Sequence, residues 1–98
     1  MITARWQSPC AIEIQGHAGY AERGKDIVCA GVSALYGTLV AELDERERRG
    51  EGSLTVSGGV VSFRPETDEI KGIYAMTWRG ILLLAAQYGK WIDAERTF

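Results

Sequence analysis

From Ile2 to Ile14 apolar residues stand at every second position, in two runs separated by one short break. Ile2, Ala4 and Trp6 alternate with Thr3, Arg5 and Gln7; Cys10, Ile12 and Ile14 alternate with Ala11, Glu13 and Gln15. A period of two is that of an extended chain with one face buried, so both runs read as half-buried strands. A three-residue connection, Gln7-Ser8-Pro9, pairs Trp6 with Cys10, Ala4 with Ile12 and Ile2 with Ile14. That register keeps every apolar side chain on one face, which a two-residue connection would not. Pro9 falls where a missing N–H costs no ladder bond. One-sided strands require a second layer, and the rest of the chain supplies it.

Gly16 to Lys25 shows no period and reads as a loop. Asp26 then offers an N-cap. Val28, Val32, Leu35, Leu39 and Leu43 follow at spacings of four, three, four and four, which is one helical stripe. Glu42–Arg46, Asp44–Arg48 and Glu45–Arg49 stand four apart, acid before base, and Gly50 suits the helix stop. This charge run reads as a solvated helix end. Gly58-Gly59 is a hairpin turn whose register pairs Val56 with Val61 and Leu54 with Phe63. After Pro65, Thr67 or Asp68 can cap a second helix with the stripe Ile70, Ile73, Thr77, Ile81, Leu84 and Tyr88. Gly89 is a candidate stop. The tail from Lys90 to Phe98 fits either a short edge strand or a loose end. The expectation is an α+β, two-layer sandwich in the order ββαββα: a mainly antiparallel four-stranded sheet covered by two helices.

With 98 residues the chain has room for one domain, spanning 1–98. Eleven basic and thirteen acidic residues give a formal charge of -2 and no basic footprint for nucleic acid. The longest uninterrupted apolar run, Ile81 to Ala86, is six residues, far short of a membrane span, and the N-terminus is not built like a signal peptide. Two cysteines are too few for a secreted disulfide framework, so a cytoplasmic location is expected.

Each thiol then needs its own account. Cys10 belongs, by strand parity, to the core. Cys29 stands three residues after the candidate cap Asp26, inside the first helical turn, where unpaired backbone N–H groups and the helix dipole favour a thiolate over a thiol. Its own N–H and a neighbouring one offer an oxyanion hole. The only histidine, His17, lies twelve residues earlier at the far end of a strand, joined to Cys29 by a glycine-containing loop. A Cys–His pair is the minimum constellation for acyl transfer.

Gly16-His17-Ala18-Gly19-Tyr20, followed by Gly24-Lys25-Asp26-Ile27-Val28-Cys29-Ala30-Gly31-Val32-Ser33-Ala34-Leu35, closely resembles the ribosomal-processing cysteine protease family (Prp). Outside Gly16–Leu35 the likeness lies only in the order of elements. The resemblance implies a small homodimeric cysteine endopeptidase, free of cofactors and metals. It implies a substrate too: the N-terminal extension of large-subunit ribosomal protein number twenty-seven, in its precursor. The family's nucleophile falls on Cys29 and its histidine on His17. Asp26 and Ser33 match family positions, Asp26 either orienting His17 or capping the helix, Ser33 shaping the site one turn beyond Cys29. The loop Ala18–Lys25, with Gly19, Tyr20 and Gly24, is implied as a substrate gate.

Other readings compete. A non-catalytic dimeric module binding a peptide along a sheet edge predicts an unreactive Cys29. A prophage-encoded protease acting on a phage structural protein shares the chemistry but not the substrate. Cys10, His17 and Cys29 lack the paired spacing of a zinc site. Glu22 and Asp26 lie near one loop but have no further support as a carboxylate pair.

Overall fold

The computed structural model describes residues 1–22 and 24–98; Arg23, inside the expected gating loop, lies outside the described residues. Among the described residues, five strands and two helices follow in the order β1 (Ile2–Ser8), β2 (Ala11–Gly16), α1 (Ile27–Arg48), β3 (Ser53–Ser57), β4 (Val60–Arg64), α2 (Asp68–Gln87) and β5 (Ile92–Arg96). The sheet order is β3-β4-β2-β1-β5. All neighbours are antiparallel except β5, which runs parallel to β1.

The architecture is the expected α+β one with an additional strand. Ile92 and Ala94 stand opposite Ile2 and Ala4, and Arg5 on the other face reaches Asp93 at 2.8 Å. Two apolar residues are too short an alternation to distinguish a strand from a loose end in sequence; pairing with β1 decides it.

The first hairpin departs from the expected register by two residues: Trp6 faces Ile12, Ala4 faces Ile14 and Ile2 faces Gly16. The connection is a tight turn at Pro9-Cys10, and the register shifts between Trp6 and Ser8. The bulge restores the parity that a two-residue connection would break. An even slip leaves each side chain on its face, so the core composition survives the error. Cys10, at the turn, is 2% exposed. The second hairpin has the expected register, with Val56 opposite Val61 and Leu54 opposite Phe63.

Helix α1 presents Val28, Val32, Leu39 and Leu43 to the sheet. By length and composition it is apolar enough to cross a membrane. Here, however, its apolar stripe is spent on the sheet. Each full leucine burial contributes roughly 1.5–3 kcal/mol. All three expected ion pairs form, at 2.7, 3.0 and 3.2 Å. Gly50 adopts a φ of 77°, which ends the helix.

Helix α2 is capped by Thr67, whose hydroxyl accepts from the Ile70 N–H. Its buried stripe is Ile70, Tyr74, Trp78 and Ile81, rotated from the expected one, which had Ile73 and Thr77 in place of the two aromatics. Tyr74 can lie in the core because its hydroxyl donates to the Val61 carbonyl at 2.9 Å. The two helices pack closely at glycines: a Cβ on Gly80 would meet Leu35 and one on Gly31 would meet Leu84.

Candidate active site

The site is built where β2 ends and α1 begins. Gly16 closes β2 with a φ of 86°, and a Cβ there would collide with the Met1 carbonyl. Glycine therefore lets the chain turn off the sheet at the residue before His17. Ala18 is 4% exposed and packs with Ile2, Val28, Val32 and Ile92, a second apolar cluster beside the main core. That cluster fixes the start of the loop against the first turn of α1.

Asp26 caps α1 from an extended backbone. Its Oδ1 accepts from the Val28 N–H at 3.0 Å and the Cys29 N–H at 2.9 Å. Its Oδ2 accepts from the Tyr20 N–H at 3.1 Å. The Cys29 N–H, above all, holds the Asp26 carboxyl below its ordinary range; partial desolvation opposes this, and the Tyr20 and Ala21 amides and the Cys29 thiol add to it. These bonds describe a cap, and among the described residues none runs from Asp26 to His17.

Cys29 is the third residue of α1 and half-buried. Its Sγ accepts from the Ala18 N–H at 3.3 Å, so the residue after His17 touches the sulfur directly. The Cys29 N–H, expected to serve an oxyanion hole, is instead bonded to Asp26. Cap and oxyanion draw on the same amide, which spacing alone does not reveal.

One cleft of ≈ 730 Å³ gathers His17, Gly19, Gly24, Asp26, Cys29 and Ser33. Of the seven residues that the family resemblance assigns to the site by name, Tyr20 alone is missing from the described wall; that ring turns to Tyr88 and Trp91. Ala21 and Ala30 complete the lining and were not anticipated. Ser33 also lines an adjoining hollow with Ile14, Val32 and Tyr36, so the cleft continues along α1. Another depression, ≈ 870 Å³, lies at the opposite end of β2 around Cys10 and Pro65. It is the larger, but it lacks a histidine and its thiol is buried.

An exposed imidazole and a helix-N-terminal thiol in one cleft, on a two-layer α+β sandwich, are the pair of groups that the class of thiol hydrolases employs. The cysteine protease Prp family matches residues 1–93, and the chain belongs to it.

Solved structures agree in fold. The essential ribosomal processing protease Prp from S. aureus, in complex with a covalently linked product peptide, is 22% identical with a TM-score of 0.81. That match covers 99% of this chain and 100% of that one. The same S. aureus protease with a substrate peptide gives 22% identity, the same coverage and a TM-score of 0.71. A protein from Streptococcus mutans is 25% identical over 98% of this chain and 91% of its own, with a TM-score of 0.66. No curated protein matches the sequence.

Proposed function

We propose that the chain is a ribosomal-processing endopeptidase in which Cys29 is the nucleophile and His17 its general base. The observation that carries this is the placement of both residues in one cleft, with the sulfur in the first turn of α1. Membership of a cysteine protease family supports it, as do the peptide complexes of the S. aureus protease. The proposed substrate is the N-terminal extension of large-subunit ribosomal protein number twenty-seven, the proposed location the cytoplasm and the proposed assembly a homodimer.

In this mechanism His17 takes the Cys29 proton and the thiolate attacks the scissile carbonyl. His17 then protonates the departing amine, and water releases the acyl-enzyme. The positive end of α1 favours the developing oxyanion. The oxyanion competes with Asp26 Oδ1 for the Cys29 N–H, so Asp26 acts here as the cap and Ser33 as a wall of the cleft. Gly19 and Gly24 frame the loop edge past which the peptide enters.

The test is cleavage of a peptide spanning the extension junction of that ribosomal protein, read by mass spectrometry. The wild type gives one defined cut and a thioester on residue 29. Cys29→Ala lowers the rate by at least about a thousandfold. Equal cleavage by the two proteins ends the proposal.

A further inference from the structure

The loop after His17 is fastened by aromatic rings. Tyr20 meets Trp91 edge-on with centroids 4.8 Å apart, and Tyr88 edge-on at 5.6 Å; Tyr88 and Trp91 are 6.3 Å apart. The latter two rings form a fixed platform. Tyr88 is the C-cap of α2, the Trp91 N–H donates to the Tyr88 carbonyl at 2.9 Å, and the Ile2 N–H donates to the Trp91 carbonyl at 2.9 Å. The platform is thus tied to both α2 and β1, while Tyr20 belongs to the loop.

We infer that Tyr20 is a positioning residue whose ring, held by Tyr88 and Trp91, keeps the His17–Ala18 segment in register with Cys29. The inference rests on the Cys29–His17 chemistry proposed above. Three observations carry it. Ala18, two residues before Tyr20, places its N–H 3.3 Å from the sulfur. Gly19 between them has a φ of 71° and no Cβ to restrict it, so it passes on little order by itself. The register of Ala18 is set by anchors on each side: its own buried methyl and the Tyr20 ring. The Tyr20 N–H, bonded to Asp26 at 3.1 Å, then links the same residue to the cap of α1. One residue therefore couples the loop to the end of α2 through its ring and to the start of α1 through its backbone N–H.

The clamp does not shut the site. With the rings in contact the cleft still measures ≈ 730 Å³ and has His17 and Cys29 in its wall. Preorganisation acts on the reacting geometry more than on peptide capture, so its loss falls on kcat rather than KM. The contact is ring to ring, so phenylalanine should replace tyrosine.

The experiment compares wild type, Tyr20→Ala, Tyr20→Phe, Trp91→Ala and the Tyr20→Ala/Trp91→Ala double variant. Cleavage of the ribosomal-protein junction peptide is measured alongside exchange of the Ala18 amide by NMR. Tyr20→Ala is expected to lose about tenfold in kcat with KM nearly unchanged, and about tenfold in Ala18 protection, with a Tm lowered by several degrees and the fold intact at the assay temperature. Tyr20→Phe should restore both. Trp91→Ala should resemble Tyr20→Ala, and the double variant should be no worse than either. Wild-type Ala18 protection in Tyr20→Ala overturns the inference whether or not the peptide is cut. A faster Tyr20→Ala enzyme also overturns it, by making the clamp a brake. A wild-type enzyme that leaves the peptide intact, or a Cys29→Ala enzyme that cuts it, counts against the proposed function alone.

Discussion

The two cysteines occupy opposite ends of β2 and meet opposite surroundings. Cys10 lies in the turn that precedes the strand, 2% exposed among Ile12, Phe63 and Trp78 of the main core. Burial pushes its thiol up to about 11, with Glu66 adding to the rise and Lys71 opposing it. Cys29 faces the other end, where Ala18, just beyond β2, donates its N–H to the sulfur and α1 begins. One residue type thus serves as a small hydrophobe at one end and as a candidate nucleophile at the other. The difference is made by backbone donors and solvent access.

The largest expected effect is in reactivity. Iodoacetamide at neutral pH should modify Cys29 at least about a hundredfold faster than Cys10 in the native protein, since Cys10 is both protonated and enclosed. Peptide mapping of the alkylated chain measures the ratio, and unfolding in denaturant should bring the two rates together. Comparable labelling of both native thiols would erase the contrast.

Stability should show the reverse ranking. Cys10→Ser places a hydroxyl in the core and is expected to cost about 1–3 kcal/mol in chemical denaturation, with catalytic turnover unchanged per folded molecule. The pH dependence has a definite sign. The Cys10 thiol titrates near 11 when folded and at its ordinary 9.0 when unfolded. Below about pH 9 both states keep the proton; as pH rises from there towards 11 the unfolded state loses it first, and stability falls. Cys10→Ala should remove that part of the alkaline decline. An unchanged alkaline profile in Cys10→Ala would place the titration elsewhere.

The same contrast explains what could be read from sequence. The α1 stripe, its Asp26 cap and its three ion pairs follow from local spacing, and all are present. The gathering of His17, Asp26, Cys29 and Ser33 follows from the Gly16–Leu35 motif. What was missed involves contacts between distant segments or competition for one atom. The first hairpin slips by two residues because a bulge near Gln7 and a Pro9-Cys10 turn together satisfy the same parity as a longer connection. Strand β5 depends on its partner β1 more than on its own pattern. Tyr74 enters the core only because the Val61 carbonyl receives its hydroxyl. Tyr20 meets rings about seventy positions away in the chain, beyond any local periodicity. Spacing offers the Cys29 N–H to an oxyanion and cannot say that Asp26 takes it first.

The smallest expected effect tests that last point from the acid side. Asp26 keeps its charge through the amides of Cys29 and Tyr20, so its folded titration lies below its unfolded one, near the ordinary aspartate value of about 3.9. A carboxyl depressed by folding contributes stability that is present above its unfolded value and is lost as pH falls through its folded value. The loss therefore begins near pH 4 and deepens below it. Asp26→Asn keeps an oxygen to accept from Val28 and Cys29 but cannot titrate. The variant should melt at a slightly lower temperature than wild type at pH 7, and the gap should narrow as the solution is taken below pH 4. A gap of constant size across that range would mean that the carboxylate's charge adds nothing to the cap.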